Sequence, residues 1–382
     1  MMDFGWTPEQ QALREETQRF ATEQLVRDLE RRDAACQFLE DNWQKCAARG
    51  VLGWPFPAAY GGGGFDLVTT VAALDALGYG CPDNGLTLAL NGQMWAVQEP
   101  LHTFGTEAQK QKYLPKLIDG SLKGAHGMTE PQSGSDAFSL ETTAEAVDGG
   151  YRINGKKVYI GLGPVADVIL TFAVTSPDRG RWGLSTFIVE ADTQGVTLGP
   201  AQEKMGLRTA PMGEIEFADV FVPAEARLGS EGAGASVFSA SMEYERSFIF
   251  ASHVGSMARQ LDETVAFCKA RELAGRPISE LQTLRNRVAD MRVRLETARL
   301  FVRQAAWKLD QGQRVPLEAA MAKLVVSEAF TENSIEAIRA HGGKGYLSDC
   351  GVDRDLRDAL GGVIYSGTSD IQRNLIAALL GM

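Results

Sequence analysis

The chain has 382 residues, of which 44% are hydrophobic and 23% charged, and a formal net charge of −11. This length exceeds one ordinary core, so two or three packed units are expected. The acidic balance, with Lys and Arg spread along the chain, argues against nucleic acid or an anionic membrane as partner, and no apolar run reaches the roughly 18 residues of a membrane span.

Thr7-Pro8-Glu9-Gln10 predicts a helix start: a threonine cap, a proline whose missing N–H is harmless, and a glutamine that returns the cap. The preceding Met1 to Trp6 holds no basic stretch followed by an apolar core, so a cytoplasmic location is expected. Leu13, Phe20 and Leu25 fall close to one helical face. From Asp41 to Ala125 helical patterns alternate with breakers, notably Pro55 to Tyr60 and the run Gly61 to Gly64. No Gly-Lys-Ser/Thr follows that run, which reads as a connection between helices. The five cysteines, Cys36, Cys46, Cys81, Cys268 and Cys350, form no Cys-x-x-Cys pair and read as free thiols of a reducing compartment. His102, His126, His253 and His341 show no ligand spacing, so no metal site is expected and redox work would need an organic cofactor.

Gly127 to Ser139 reads Gly-Met-Thr-Glu-Pro-Gln-Ser-Gly-Ser-Asp-Ala-Phe-Ser. Its glycines allow backbone amides and the hydroxyls of Thr129 and Ser135 to converge on a planar, acceptor-rich ligand, although Ser-Gly-Ser-Asp is also ordinary turn chemistry. A strand period follows. Asn154-Gly155 predicts a hairpin between Tyr151–Ile153 and Lys157–Ile160, and further strands are expected at Val168–Val174, Ser185–Val189, Glu214–Phe217 and Val220–Val222, where Pro223 stops the last. This region reads as a β-domain of short antiparallel strands, not a nicotinamide-binding unit, since no helix opens after Gly161-Leu162-Gly163-Pro164. Beyond Gly234 the helical period returns. Val288, Met291, Leu295, Ala298 and Val302 mark a core face, while Arg285, Arg292 and Arg299 mark a solvated or subunit-facing side of a bundle helix.

A second dense segment runs from His341 to Asp358, His-Gly-Gly-Lys-Gly-Tyr-Leu-Ser-Asp-Cys-Gly-Val-Asp-Arg-Asp-Leu-Arg-Asp, and is followed by Ile364-Tyr365-Ser366-Gly367-Thr368-Ser369-Asp370-Ile371-Gln372-Arg373. This segment and the Gly127–Ser139 loop resemble the two signatures of the acyl-CoA dehydrogenase family, flavoenzymes that desaturate acyl thioesters. The resemblance covers nearly the whole chain. It implies an α+β architecture with an N-terminal helical domain over 1–124, a middle antiparallel β-domain over 125–232 and a C-terminal four-helix bundle over 233–382. Flavin adenine dinucleotide (FAD) would lie between domains and across a subunit contact, in a homotetramer or homodimer.

Desaturation needs a base for the α proton, a flavin for the β hydride and donors for the thioester oxygen. Many relatives carry the basic glutamate directly before the Gly-Thr of the last motif. Here Ser366 stands there, and a serine is too weak a base. A minority, including isovaleryl-type enzymes, place it on a helix opening the bundle, and Met242-Glu243-Tyr244-Glu245-Arg246 resembles that alternative, with Glu245 at the matching place. Burial would raise its pKa toward the working range. Glu245 and Arg246 point about 100° apart on a helix, poor geometry for a tight pair.

The resemblance also implies that Glu243 and Arg246 contact the acyl carrier portion. Met128, Thr129 and Ser135 would meet the ring and substrate, with Tyr159 packed on the ring. Arg271 and Gln282 would reach the dinucleotide, where a planar, permanent cation suits the pyrophosphate. Gly342 and Gly343 would permit close backbone approach, and Thr368 and Asp370 follow in the last loop. Tyr365, Ser366 and Gly367 would border the substrate, the Ser366 amide helping to hold the thioester oxygen. Gly161 stands where relatives usually bond the flavin through a threonine, Ala274 and Leu281 replace phenylalanines, and Arg339 replaces a glutamine or acid.

The pairing of Glu245 with Ser366 also resembles dehydrogenases whose substrate hangs on a carrier protein, so coenzyme A and a carrier protein both stand as thioester partners for a short or branched acyl group. Electron-transfer flavoprotein or oxygen would be the acceptor. A flavin oxidase or monooxygenase on the same scaffold, and a non-catalytic thioester-binding module, are the rival readings.

Overall fold

A computed structural model describes residues 5–382, so the expectation drawn from Met1 to Phe4 lies outside the described residues. Helix α1 (Pro8–Gln24) opens on the anticipated reciprocal cap: Gln10 N donates to Thr7 Oγ1 and Thr7 N to the Gln10 side chain. Then come α2 (Leu29–Ala34), α3 (Glu40–Ala48) and α4 (Leu67–Gly80). Gly61 to Gly64 connect helices by backbone packing, since a Cβ on Gly62 would lie 2.0 Å from the Phe56 carbonyl oxygen. Helix α5 (Asn84–Gly92) runs through a π-helical turn, Gln93–Gln98, into α6 (Glu99–Phe104), and α7 (Glu107–Ile118) ends this helical layer.

The middle of the chain forms one eight-stranded sheet. Its strands are β1 (Gly124–Gly127), β2 (Thr143–Val147), β3 (Gly150–Gly161), β4 (Val168–Val174), β5 (Leu184–Glu190), β6 (Val196–Leu198), β7 (Met212–Pro223) and β8 (Arg227–Leu228). They lie in the order β6-β7-β3-β2-β4-β5-β8, with β1 beside β4. The pairing is antiparallel except that β1 and β2 run parallel to β4, which amends the purely antiparallel expectation. Two further expectations are corrected. The hairpin turn is Asp148-Gly149, with Gly149 at φ 77°, whereas Asn154-Gly155 lies inside β3. There the register with β7 shifts because β7 carries the extra residue, at Ala218–Asp219, and Asn154 Oδ1 accepts a hydrogen bond from Asp219 N at 2.7 Å. Glu214–Phe217 and Val220–Val222 are one strand, β7, kinked at Asp219 (φ 54°) and closed by Pro223.

The last third is helical: α8 (Gly234–Phe248), α9 (Ala251–Ala270), a small hairpin of β9 (Glu272–Leu273) and β10 (Arg276–Pro277), then α10 (Gln282–Asp310), α11 (Pro316–His341), α12 (Val352–Gly362) and α13 (Ser369–Leu379). On α10 Met291, Leu295, Ala298 and Val302 are buried, as their spacing implies. The arginine stripe divides: Arg285 and Arg292 are exposed, but Arg299 turns to Asp75 of α4, with Nε 2.9 Å from Oδ2. Helices α4 and α9 touch through glycine, a Cβ on Gly255 falling 1.8 Å from the Asp75 carbonyl oxygen. A buried polar knot joins the three regions. Asp355 accepts from Arg259 and Asn84, and Asp358 accepts from Asn84 and, at 2.5 Å, from Leu207 N. Burial pushes Asp358 up to about 7. All five cysteines are free, and no described helix is long and apolar enough to cross a membrane.

Candidate active site

Phe238, Met242 and Glu245 recur at spacings of four and three on α8 and so share a face. Phe238 meets the rings of His126, Phe138 and Phe172 from the middle region, which gives that face an aromatic wall. Glu245 is only 9% exposed. Burial raises its pKa, opposed by a hydrogen bond from Ser366 and by the charges of Arg246 and Lys323. The Ser366 hydroxyl donates to Glu245 Oε1 at 2.5 Å. Oε2 has no hydrogen-bond partner among the described residues, yet is not sealed from solvent.

Ser366 (φ 55°) and Gly367 (φ 85°) make a tight left-handed turn ahead of α13. Gln372 Nε2 donates to the Ser366 and Gly367 carbonyls at 3.2 and 3.0 Å, and Arg246 Nε to the Ser366 carbonyl at 3.4 Å. Thr368 caps α13 by accepting from Ile371 N. The Ser366 N–H donates to no acceptor among the described residues, so it stands available to a ligand oxygen. Beside the turn the Tyr365 ring stacks on Phe250 with centroids 5.3 Å apart. Lys323 of α11 is fully buried, its Nζ has no hydrogen-bond partner among the described residues, and burial pulls its pKa down to about 8.

The Gly127–Ser139 loop is fastened from within. Lys157, fully buried on β3, donates to Glu130 Oε1 and the Phe172 carbonyl, both at 2.7 Å, and to the Met128 carbonyl at 3.3 Å. Glu130 also accepts from the amides of Glu141 and Thr142. Desolvation lowers the Lys157 pKa to about 8 despite its partner. Val158 N donates to the Thr129 carbonyl, so Met128 and Thr129 lie beside Tyr159, which is 65% exposed at φ 58°. A Cβ on Gly161 would meet nothing within 4 Å. Ser135 is exposed on the outer part of the loop.

A third group forms at one end of the bundle, where Cys268, Ile278 and Ala340 pack together and Phe267 stacks on His341. It brings Arg271, Gln282, Arg339, Gly342 and Gly343 into one neighbourhood. The side chains of Arg271 and Gln282 are exposed and bond to no other described residue, and the two glycines open on empty space. Arg339 is instead engaged by Glu336 at 2.6 Å. Asp370 is exposed and pairs with Arg373. An exposed aromatic, open glycines and an unpaired planar cation fit a flat ring with a diphosphate tail.

One sequence expectation is corrected. Glu243 is buried, with Oε2 accepting from Arg314 at 2.7 Å and Oε1 from Val315 N, so it fastens the α10–α11 turn instead of facing a substrate. Two residues of the site had escaped notice. Lys323 is the one cation in Ala320-Met321-Ala322-Lys323-Leu324-Val325-Val326, a signal that periodicity counts overlook, and Gln372 sat in the last motif without a role.

Family models for the N-terminal, middle and C-terminal domains of acyl-CoA dehydrogenase match residues 7–121, 125–220 and 232–381. An L-prolyl-[peptidyl-carrier protein] dehydrogenase of Serratia sp. (strain ATCC 39006) is 38% identical over 381 residues, covering 100% of this chain and 99% of that one. The crystal structure of the prolyl acyl carrier protein oxidase AnaB superposes with a TM-score of 0.98 at 44% identity, covering 99% of this chain and 100% of that one. PigA with FAD and proline gives 0.97 at 38%, covering 100% and 99%. The chain therefore belongs to the acyl-CoA dehydrogenase family of oxidoreductases, whose members act on acyl thioesters of coenzyme A and of carrier proteins.

Proposed function

We propose that this chain binds FAD and desaturates a short or branched acyl thioester across its α,β bond, with Glu245 as the base. The observation that carries this is a buried carboxylate with one oxygen held and the other without a bond among the described residues, beside a turn whose amide has no acceptor there. Glu245 Oε2 takes the α proton, and burial suits it by keeping the carboxylate basic. The Ser366 N–H holds the thioester oxygen as negative charge develops there. Bound FAD supplies the acceptor for the β hydride. Met128, Thr129 and Tyr159 hold its ring, and Arg271, Gln282, Gly342 and Gly343 its dinucleotide tail. Arg246, partly buried beside the turn, adds positive charge near the carbonyl.

The substrate is carried on a carrier protein or on coenzyme A, and the names of the Serratia dehydrogenase and of AnaB favour the carrier. Electron-transfer flavoprotein or oxygen takes the electrons onward. Oxygen has one specific support: the open space at Gly161, in a chain whose likeness to AnaB, a named oxidase, is high. Exposed Leu273, Val293, Tyr346, Leu347 and Ile364 support self-association, as a homotetramer or homodimer, and the free thiols support a cytoplasmic setting. Glu245→Gln tests the base. The variant should bind thioester but lose roughly 10²–10⁴-fold in anaerobic flavin bleaching. Bleaching at the wild-type rate overturns the assignment, and a colourless protein that still binds thioester supports a binding module instead. Peroxide release during turnover distinguishes the oxidase reading.

A further inference from the structure

We propose that the Ser366 hydroxyl is a positioning group for the Glu245 carboxylate: it fixes Oε1 so that Oε2 alone is presented to the reacting carbon. This rests on the reading of Glu245 as the base and assigns the serine side chain a role separate from that of its amide.

The geometry has three parts. The hydroxyl donates to Oε1 at 2.5 Å across 121 residues of chain. A carboxylate tethered at one oxygen loses free rotation about its last bond, and its other oxygen keeps a constant direction. The serine is itself immobile, because its carbonyl takes bonds from Gln372 and Arg246 and its φ of 55° sits in a turn closed by Gly367. Finally, Oε2 is the oxygen with no bond among the described residues, so the tether and the reactive atom are different oxygens of one group.

A bond to the charged form also favours that form. The charged and titratable groups that bear on Glu245 are Arg246 on its own helix, Lys323 on α11 and Tyr365 beside the turn. Glu99, on the helix packed against the other side of α8, bears on Glu243 and Tyr244. Loss of the hydroxyl leaves the two cations in place and removes one stabilising contact, so the acidic limb of the rate profile moves to higher pH.

The test compares FAD-loaded wild type with Ser366→Ala and Ser366→Gly, the second of which accepts the left-handed turn without strain. Anaerobic flavin reduction by butyryl-coenzyme A and by an L-prolyl carrier-protein thioester is followed across pH, with binding measured on unreactive thioester analogues. Both variants should reduce flavin about 10–100-fold more slowly, with unchanged analogue affinity and the acidic limb shifted upward. Wild-type rates with an unmoved limb in either folded variant overturn the proposal, as does a loss confined to affinity. Glu245→Gln run in parallel separates the two assignments: if it too reduces flavin normally, the base reading fails with the proposal, and if it is inactive while the serine variants are normal, only the positioning role fails.

Discussion

Glu245 of α8 and Glu99 of α6 are both buried carboxylates, and their surroundings separate them. Glu245 has a donor on one oxygen, and its other oxygen is not sealed from solvent. Glu99 accepts from Thr103 Oγ1 at 2.7 Å, while its Oε2 is sealed and has no hydrogen-bond partner among the described residues. Burial therefore pushes Glu99 up to about 7. A carboxyl raised in this way holds its proton more tightly when folded. The stability it contributes is complete below its unfolded value of 4.5 and is lost as pH rises through about 7. Glu99→Gln, which mimics the protonated form, should match the wild type in acid and melt at higher temperature than the wild type above pH 7, as read by thermal unfolding across this range. A constant difference at all pH values would show that Glu99 titrates alike in the folded and unfolded states and that burial does not raise it.

At the scale of elements, β3 carries both the glycine and the lysine that hold the ligand loop in place. Gly155 meets the chain that returns from that loop: an added Cβ would lie 2.3 Å from Thr142 Oγ1 and 2.7 Å from Thr142 Cα. Gly155→Ala should cost about 1–3 kcal/mol in chemical denaturation, because the obstacle includes backbone that cannot rotate away. Lys157→Met should cost more, about 3–5 kcal/mol, since it leaves the Glu130 carboxylate buried without its cation. The double change with Glu130→Gln should recover part of that loss, and a lack of recovery would mean that the lysine acts through its carbonyl contacts. Asn154-Gly155 has the chemistry of a hairpin turn, but it lies in a strand opposite a bulge of β7, which only the partner strand reveals. The Asp148-Gly149 pair at the true turn carried the same chemistry a few residues earlier.

Across the whole molecule the three regions are locked by close backbone contact and by one polar knot. Gly255→Ala should prevent α4 and α9 from meeting at their present distance and lower stability by about 1–3 kcal/mol or more, measurable as a fall in melting temperature and in bound flavin. The knot joins Asn84, Leu207, Arg259, Asp355 and Asp358, one or more residues from each region, and so couples the helical layers to the β7 approach. Sequence alone determined whatever depends on near neighbours: the cap at Thr7, the extent of β4, the core face of α10, and the pair of signatures with a glutamate at 245 and a serine at 366. What only the tertiary structure decided is who meets whom over long separations. It joined Ser366 to Glu245, assigned Glu243 to the α10–α11 turn, buried Lys323 beside the base and drew Arg299 to Asp75. Caps and periodic faces are set by chain geometry within a few residues, whereas the partner of a buried polar group is chosen by packing, which brings distant segments together and leaves each donor only the acceptors within its reach.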